Sequence, residues 1–133
     1  MRIWLVDDTP RWHGVTASTV ALVAGWNLES FHSGPAAMLA FEQLVEHHPH
    51  DLPQVILMDF YLGQMRGDAV TEQLRELEPD GHHAVIVGHS SMPHGSELIE
   101  MAGGDCSVRK HHDSNGVNPS LLRWLQDFPG TTA

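Results

Sequence analysis

Four apolar runs in this chain each lead into polar residues that could do chemistry. The runs end at Val6, Met58, Gly88 and Val108. The polar residues that follow them are Asp7, Asp8, Asp59, Ser90 and Lys110. In a parallel sheet these residues would meet at one edge. Three carboxylates, a hydroxyl and an ammonium at that edge predict a site for one divalent cation and one phosphoryl group.

The three carboxylates predict a bound cation. Two carboxylates 4 Å apart repel each other by about 4 kcal/mol at an effective dielectric constant of about 20. Alone, Asp7-Asp8 could be a solvated helix start and Asp59 a loop cap, but their joint position at strand ends favours a metal site. Mg²⁺ fits best, because it is a hard cation that takes oxygen ligands and shares phosphate oxygens with a partner.

Lys110 is the sharper signal, because the chain contains one lysine and six arginines. A compact ammonium on a flexible stem can make a point contact to a single phosphoryl oxygen, which a guanidinium fork does less well. Ser90 could donate its hydroxyl to another oxygen, and the adjacent Ser91 is the alternative for that role.

Composition limits the class of protein. The chain has 133 residues and a net charge of −10, which predicts one domain over 1–133 with no effector domain. The acidic balance argues against direct nucleic-acid binding. No apolar run is long enough for a membrane span or a secretory signal. Cys106 is the only cysteine, so no disulfide framework is expected, and a cytoplasmic location is the default.

Hydrophobic periodicity predicts alternating strands and helices. Strands are expected over 3–6, 26–31, 54–58, 84–88 and 105–109. Helices are expected over 10–24, 35–47, 68–77 and 95–101, with a last helix opened by Pro119. Alternation of this kind predicts an α/β fold of three layers, in which helices cover both faces of a doubly wound, five-stranded parallel sheet. Ligands of such sheets bind beyond the carboxyl ends of the strands.

The ordered set of motifs resembles the receiver domain of two-component response regulators over nearly the whole chain. Leu5-Val6-Asp7-Asp8 is similar to the first strand and acidic pair of that family. The segment 58–62 resembles the phosphoacceptor strand and loop, and Gly67 matches the glycine that ends the loop. The segments 88–91 and 102–110 resemble the ends of the fourth and fifth strands. The resemblance implies a flavodoxin-like sheet with strand order 2-1-3-4-5.

The resemblance also implies roles for single residues. Asp59 would be phosphorylated by a histidine kinase or a phosphotransfer protein, and Ser90 and Lys110 would hold the phosphoryl oxygens. Asp8, Asp59 and the backbone carbonyl of Tyr61 would bind Mg²⁺ directly, and Asp7 mostly through water. The protein would catalyse its own phosphorylation and slow dephosphorylation, and would signal to a downstream protein. Its oligomeric state stays open, with a phosphorylation-linked dimer as one option.

Four positions depart from the family pattern. Gly63 stands in place of a loop proline, and Arg66 in place of a common aspartate. Ser107 replaces the usual aromatic residue of the fifth strand, which puts the usual aromatic switch in doubt. His111 follows Lys110 where the family has a cis proline. A cis bond without proline costs about 2.5–4 kcal/mol, so the loop either bears that cost or takes another shape.

Two alternative functions remain. A pseudo-receiver that serves only as a docking module should have lost at least one site residue, and none is missing. A phosphohydrolase with an aspartate nucleophile should have a second aspartate two residues later, where Tyr61 stands.

Overall fold

The computed structural model describes residues 1–131, in which strands and helices alternate along the chain. The strands are β1 (Arg2–Val6), β2 (Asn27–Phe31), β3 (Val55–Met58), β4 (Tyr61–Leu62), β5 (Met65–Arg66), β6 (Val85–Gly88) and β7 (Cys106–Ser107). The helices are α1 (Pro10–Val20), α2 (Gly34–His47), α3 (Gly67–Leu77), α4 (Pro93–Met101) and α5 (Pro119–Asp127), with a 3-10 turn at Pro49–Asp51.

Five of the strands form one parallel sheet in the order β2-β1-β3-β6-β7. The fourth and fifth strands expected from the sequence are β6 and β7, because the short antiparallel hairpin β4–β5 comes between them in the chain. The predicted α/β class and the predicted strand order are therefore confirmed.

Apolar side chains on the two faces of the sheet form two separate cores. On one face, β1 and β3 pack with α2, α3 and α4 around buried residues such as Phe41, Leu74 and Ile99. On the other face they pack with α1 and α5 around Val20 and Leu121. Strands β1 and β3 are apolar on both faces because helices cover both. No helix within residues 1–131 is long and apolar enough to cross a membrane.

The main differences from the sequence prediction lie at element ends. Helix α1 ends at Val20 rather than near residue 24, because the chain then forms tighter turn bonds from Leu22 N to Thr19 O and from Val23 N to Val20 O. These turns bury Val23 and leave Leu22 exposed. Strand β7 has two residues instead of the five expected over 105–109, because only Cys106 and Ser107 pair with β6.

A hairpin also occupies the segment after Asp59 that was expected to be only a loop. Tyr61 pairs with Arg66 across β4 and β5, and Gly63 takes a φ of +73° in the turn between them. Only glycine adopts such a φ at low cost, so Gly63 suits this turn in a way that a proline could not.

Candidate functional site

Hydrogen bonds beyond the strand ends align the candidate residues along one edge of the sheet. The backbone N–H of Asp59 donates to Val6 O at 3.0 Å, and that of His89 donates to Met58 O at 2.8 Å. These bonds continue the register of the parallel strands by one residue. They place Asp59 beside the end of β1 and Ser90 just beyond the end of β6, as the sequence predicts for a shared edge.

Three carboxylates meet at this edge. Asp7, Asp8 and Asp59 can each offer an oxygen such that all three lie within 4.8 Å of one another. Asp7 is fully buried and Asp59 is 6% exposed, whereas Asp8 is open to solvent. This donor set fits Mg²⁺, which binds through a few carboxylates and keeps several waters. The exposed Asp8 leaves one side of the cluster open to them.

Lys110 reaches into this cluster from the loop after β7. Its Nζ donates to Asp7 Oδ2 at 2.7 Å and lies 3.1 Å from Asp59 Oδ1. The lysine side chain is only 5% exposed, so water screens this ion pair poorly and the charges interact strongly. One ammonium thus offsets part of the charge of two buried carboxylates.

The charge of Asp59 remains unfavourable in spite of the lysine. Burial, and after it the neighbouring Asp7 carboxylate, raises the pKa of Asp59 to about 6 although Lys110 lowers it. A carboxylate in this state gains from any additional positive charge. At neutral pH it is ionised, as a nucleophile must be.

Ser90 and Tyr61 occupy the loops on either side of Asp59. Ser90 is buried, and its Oγ accepts a hydrogen bond from the backbone N–H of Met92 at 3.1 Å. The hydroxyl proton of Ser90 is therefore left to donate elsewhere. Tyr61 begins β4 two residues after Asp59, and its side chain is exposed.

Two glycines allow the loops to approach Asp59 closely. A Cβ on Gly67 would collide with the carbonyl oxygen of Asp59, and the N–H of Gly67 donates to Phe60 O at 2.7 Å. A Cβ on Gly95, in α4, would lie 2.8 Å from the Phe60 side chain and 3.0 Å from Ser90 Oγ. These contacts bring α3 and α4 against the segment that carries Asp59.

Three residues around Lys110 were missed by the sequence reasoning. The indole of Trp12 lies 5.1 Å from Lys110 Nζ. His89 and Asn118 are fully buried nearby, with 3.4 Å between His89 Nε2 and Asn118 Nδ2. A bulky aromatic residue four positions after Asp8, in the first turn of a helix, was the signal that could have drawn attention to Trp12.

The departures from the family pattern have local explanations. The hydroxyl of Ser107 donates to Glu100 Oε2 at 2.8 Å. Within residues 1–131 every peptide bond is trans, so the loop at His111 takes a different shape from one with a cis bond. The imidazole of His111 instead shares a 2.7 Å hydrogen bond with Ser120 Oγ.

Comparison with solved structures shows the fold. The Mn²⁺-bound response regulator Rcp1 matches with a TM-score of 0.76 and 18% identity, over 99% of this chain and 96% of that one. The receiver domain of the histidine kinase CKI1 from Arabidopsis thaliana, complexed with Mg²⁺ and BeF3⁻, matches with a TM-score of 0.67 and 20% identity, over 86% and 84%. A response regulator from Burkholderia pseudomallei with a phosphorylated aspartic acid, calcium ion and citrate matches with a TM-score of 0.66 and 18% identity, over 86% and 62%.

The chain therefore has the fold of response regulator receiver domains. At the level of sequence, no protein-family model matches the chain, and no curated protein matches it either.

Proposed function

We propose that this protein accepts a phosphoryl group on Asp59, with Mg²⁺, from a histidine kinase or a phosphotransfer protein. The observation that carries the proposal is the set of charged groups around the Asp59 carboxylate. Its carboxylate lies 3.1 Å from Lys110 Nζ and within 4.8 Å of oxygens of Asp7 and Asp8. A nucleophile, a cation at its side and further metal ligands are the groups that phosphoryl transfer uses.

The structural neighbours support this proposal through what they contain. One holds a phosphorylated aspartic acid, another Mg²⁺ with BeF3⁻, and a third Mn²⁺. These chains are similar in fold to this protein, in which the fold brings Asp7, Asp59 and Ser90 to one edge of the sheet.

In the proposed reaction an oxygen of Asp59 attacks the phosphorus of a phosphohistidine as the phosphorus–nitrogen bond breaks. The electron pair of that bond returns to the donor imidazole, which leaves as a neutral ring when its other nitrogen carries a proton. Lys110 and the hydroxyl of Ser90 hold two phosphoryl oxygens. Catalysis therefore comes from position and charge rather than from a proton-transfer step.

Asp8, Asp59 and the Tyr61 carbonyl would bind Mg²⁺ directly, and the buried Asp7 would act through water. When bound, the cation offsets negative charge on the phosphoryl oxygens. Asp7 already accepts a hydrogen bond from Lys110, so it also holds the lysine at Asp59.

The signal would leave the protein through contact with a downstream protein, in the cytoplasm, with residues 1–133 acting as one receiver unit. The lone Cys106 suits a reducing compartment. Because Ser107 and His111 replace the usual aromatic residue and proline, the transmission of the signal should differ from the usual aromatic switch.

Acetyl phosphate with Mg²⁺, followed by intact-mass spectrometry, tests the proposal. We expect the wild-type protein to gain the mass of one phosphoryl group, and Asp59→Asn to gain none. Asp80→Asn is the matched control, because Asp80 is an exposed aspartate in the loop after α3, and it should behave as wild type. A wild type that gains nothing would indicate a docking module, and a gain that survives Asp59→Asn would place the acceptor elsewhere.

A further inference from the structure

Trp12, in the first turn of α1, covers the charged end of Lys110. The lysine Nζ lies 5.1 Å from the centroid of the indole ring, which is within the range of a cation–π interaction. The same Nζ contacts Asp7 and Asp59. The ring and the two carboxylates therefore hold one ammonium together, at the end of a side chain that could otherwise rotate about four bonds.

A buried histidine packs against the Trp12 ring. His89 meets the indole edge-on, with ring centroids 6.0 Å apart and an interplanar angle of 87°. Burial, and to a lesser extent Lys110, lowers the pKa of His89 to about 3, so its imidazole is neutral at physiological pH. A neutral ring does not compete with the Lys110 ammonium for the indole face.

The backbone beside Lys110 is anchored separately. Asn118 Nδ2 donates to Arg109 O at 3.0 Å, and Asn118 Oδ1 accepts from the backbone N–H groups of Ser120 and Leu121 at the start of α5. The loop is thus tied to α5 without a proline after Lys110. Trp12 acts at the other end of the lysine, on the ammonium itself.

We propose that Trp12 is a positioning residue, whose indole face keeps the Lys110 ammonium at the Asp59 carboxylate and thereby speeds phosphoryl transfer. This inference rests on the proposed function of Asp59. It assigns to α1 a part in the reaction that neither the acidic pair nor the family resemblance supplies. If the Trp12 ring only filled space, the rate of phosphorylation would not depend on the electron distribution of the indole. This difference makes the proposal testable.

The test uses a series of fluorinated tryptophans placed at position 12 by site-specific incorporation. Successive fluorine atoms weaken the negative face of the indole with little change in its shape. We expect the rate constant of phosphorylation by acetyl phosphate and Mg²⁺ to fall progressively, by about tenfold over the series. Melting temperatures should stay close to that of wild type.

Conventional variants provide the controls. Trp12→Phe should keep part of the rate, because a benzene ring binds cations more weakly than an indole, and Trp12→Leu should lose more. Trp124→Leu removes another half-buried indole, in α5, where Trp124 packs against Phe128 away from the site, and should leave the rate unchanged. Equal rates across the fluorinated series in a protein that is phosphorylated would overturn the positioning role alone.

A double-mutant cycle separates this proposal from the proposed function. The cycle combines Trp12→Leu with Lys110→Met and measures unfolding by urea without Mg²⁺ or phosphoryl donor. We expect the two substitutions to be non-additive by a factor of about three or more in the unfolding equilibrium constant. Additive effects would overturn the Trp12–Lys110 contact. If the cycle shows coupling but the wild-type protein takes up no phosphoryl group, the Trp12–Lys110 contact stands. The proposed function, and with it the positioning role of Trp12, would then be wrong.

Discussion

Asp59 carries a charge that its surroundings tolerate poorly. Three carboxylates share the site, and Lys110 provides one positive charge to Asp7 and Asp59 together. The pKa of Asp59 is raised to about 6, first because its carboxyl group is buried and second because the Asp7 carboxylate is near, and Lys110 offsets only part of this. The ionised Asp59 therefore costs stability in the metal-free protein, and a bound cation would reduce that cost.

This cost predicts that Asp59→Asn stabilises the metal-free protein at alkaline pH. The pKa of Asp59 is about 6 in the folded protein against an ordinary value of 3.8, so the folded state holds its proton more tightly than the unfolded state. Raising the pH through this window therefore removes stability. At pH 8 the gain from asparagine should be on the order of 2–3 kcal/mol, and at pH 5 about half of that.

Urea unfolding in EDTA at the two pH values measures this difference. Asp80→Asn should show no comparable gain, because Asp80 is exposed. If Asp59→Asn is no more stable than wild type at pH 8, the ionised Asp59 carboxylate does not destabilise the folded protein.

The sequence predicted which polar residues share the edge of the sheet, but not how their side chains pair. Asp7, Asp59 and Ser90 follow strands whose apolar character is plain, so their positions were predictable. The pairing of Lys110 with Asp7 joins residues 103 apart in the chain, and no local pattern encodes it. The position of Trp12 four residues after Asp8 was visible in the sequence, but its contact with Lys110 depends on the path of the loop after β7.

At the level of elements, the sequence predicted most directly those strands that are buried on both faces. Strands β3 and β6 were expected nearly as observed, because short runs of branched apolar residues indicate a strand covered on both faces. The edge strand β7 was overestimated, since Cys106 and Val108 alternate with polar residues over 105–109, whereas only Cys106 and Ser107 pair with β6. The hairpin β4–β5 has two residues in each strand, which is too short for any periodicity.

The amino ends of β6 and β7 are fastened by Arg75, which projects from α3. Its guanidinium donates to Gly103 O at 2.9 Å and to Ala84 O, Glu78 Oε1 and Asp105 Oδ2, each at 2.8 Å. Its side chain is 17% exposed. Arg75→Met should cost about 2–4 kcal/mol of unfolding free energy, because it leaves these acceptors without their donor.

Arg75→Lys should recover little of that loss, since a single ammonium cannot reproduce the planar fork of donors. The free energy of unfolding of the three proteins in urea measures both effects. If Arg75→Met lowers the free energy of unfolding by less than about 0.5 kcal/mol, as is usual for exposed surface pairs, then Arg75 does not fasten these strand ends.

Across the whole molecule, the residues that stabilise the fold and the residues of the candidate site lie at opposite ends of the strands. The Arg75 network lies before β6 and β7, whereas the acidic residues and Lys110 lie beyond the opposite ends of the strands. The carboxyl edge can therefore hold a destabilising charge cluster, because the other edge and the two apolar cores stabilise the fold. This separation is consistent with ligand sites at the carboxyl ends of parallel strands.

Mg²⁺ should stabilise the whole protein by binding only the folded state. At ten times its dissociation constant the gain is about 1.4 kcal/mol, or about 5 °C in melting temperature for a domain of this size. The net charge of −10 adds a second effect, because any salt screens repulsion across the surface. Melting curves at pH 8 with Mg²⁺, against KCl at the same ionic strength, remove that contribution. Asp8→Asn should lose most of the remaining shift and Asp80→Asn should keep it, whereas equal shifts in both would assign the stabilisation to screening rather than to the carboxylate cluster.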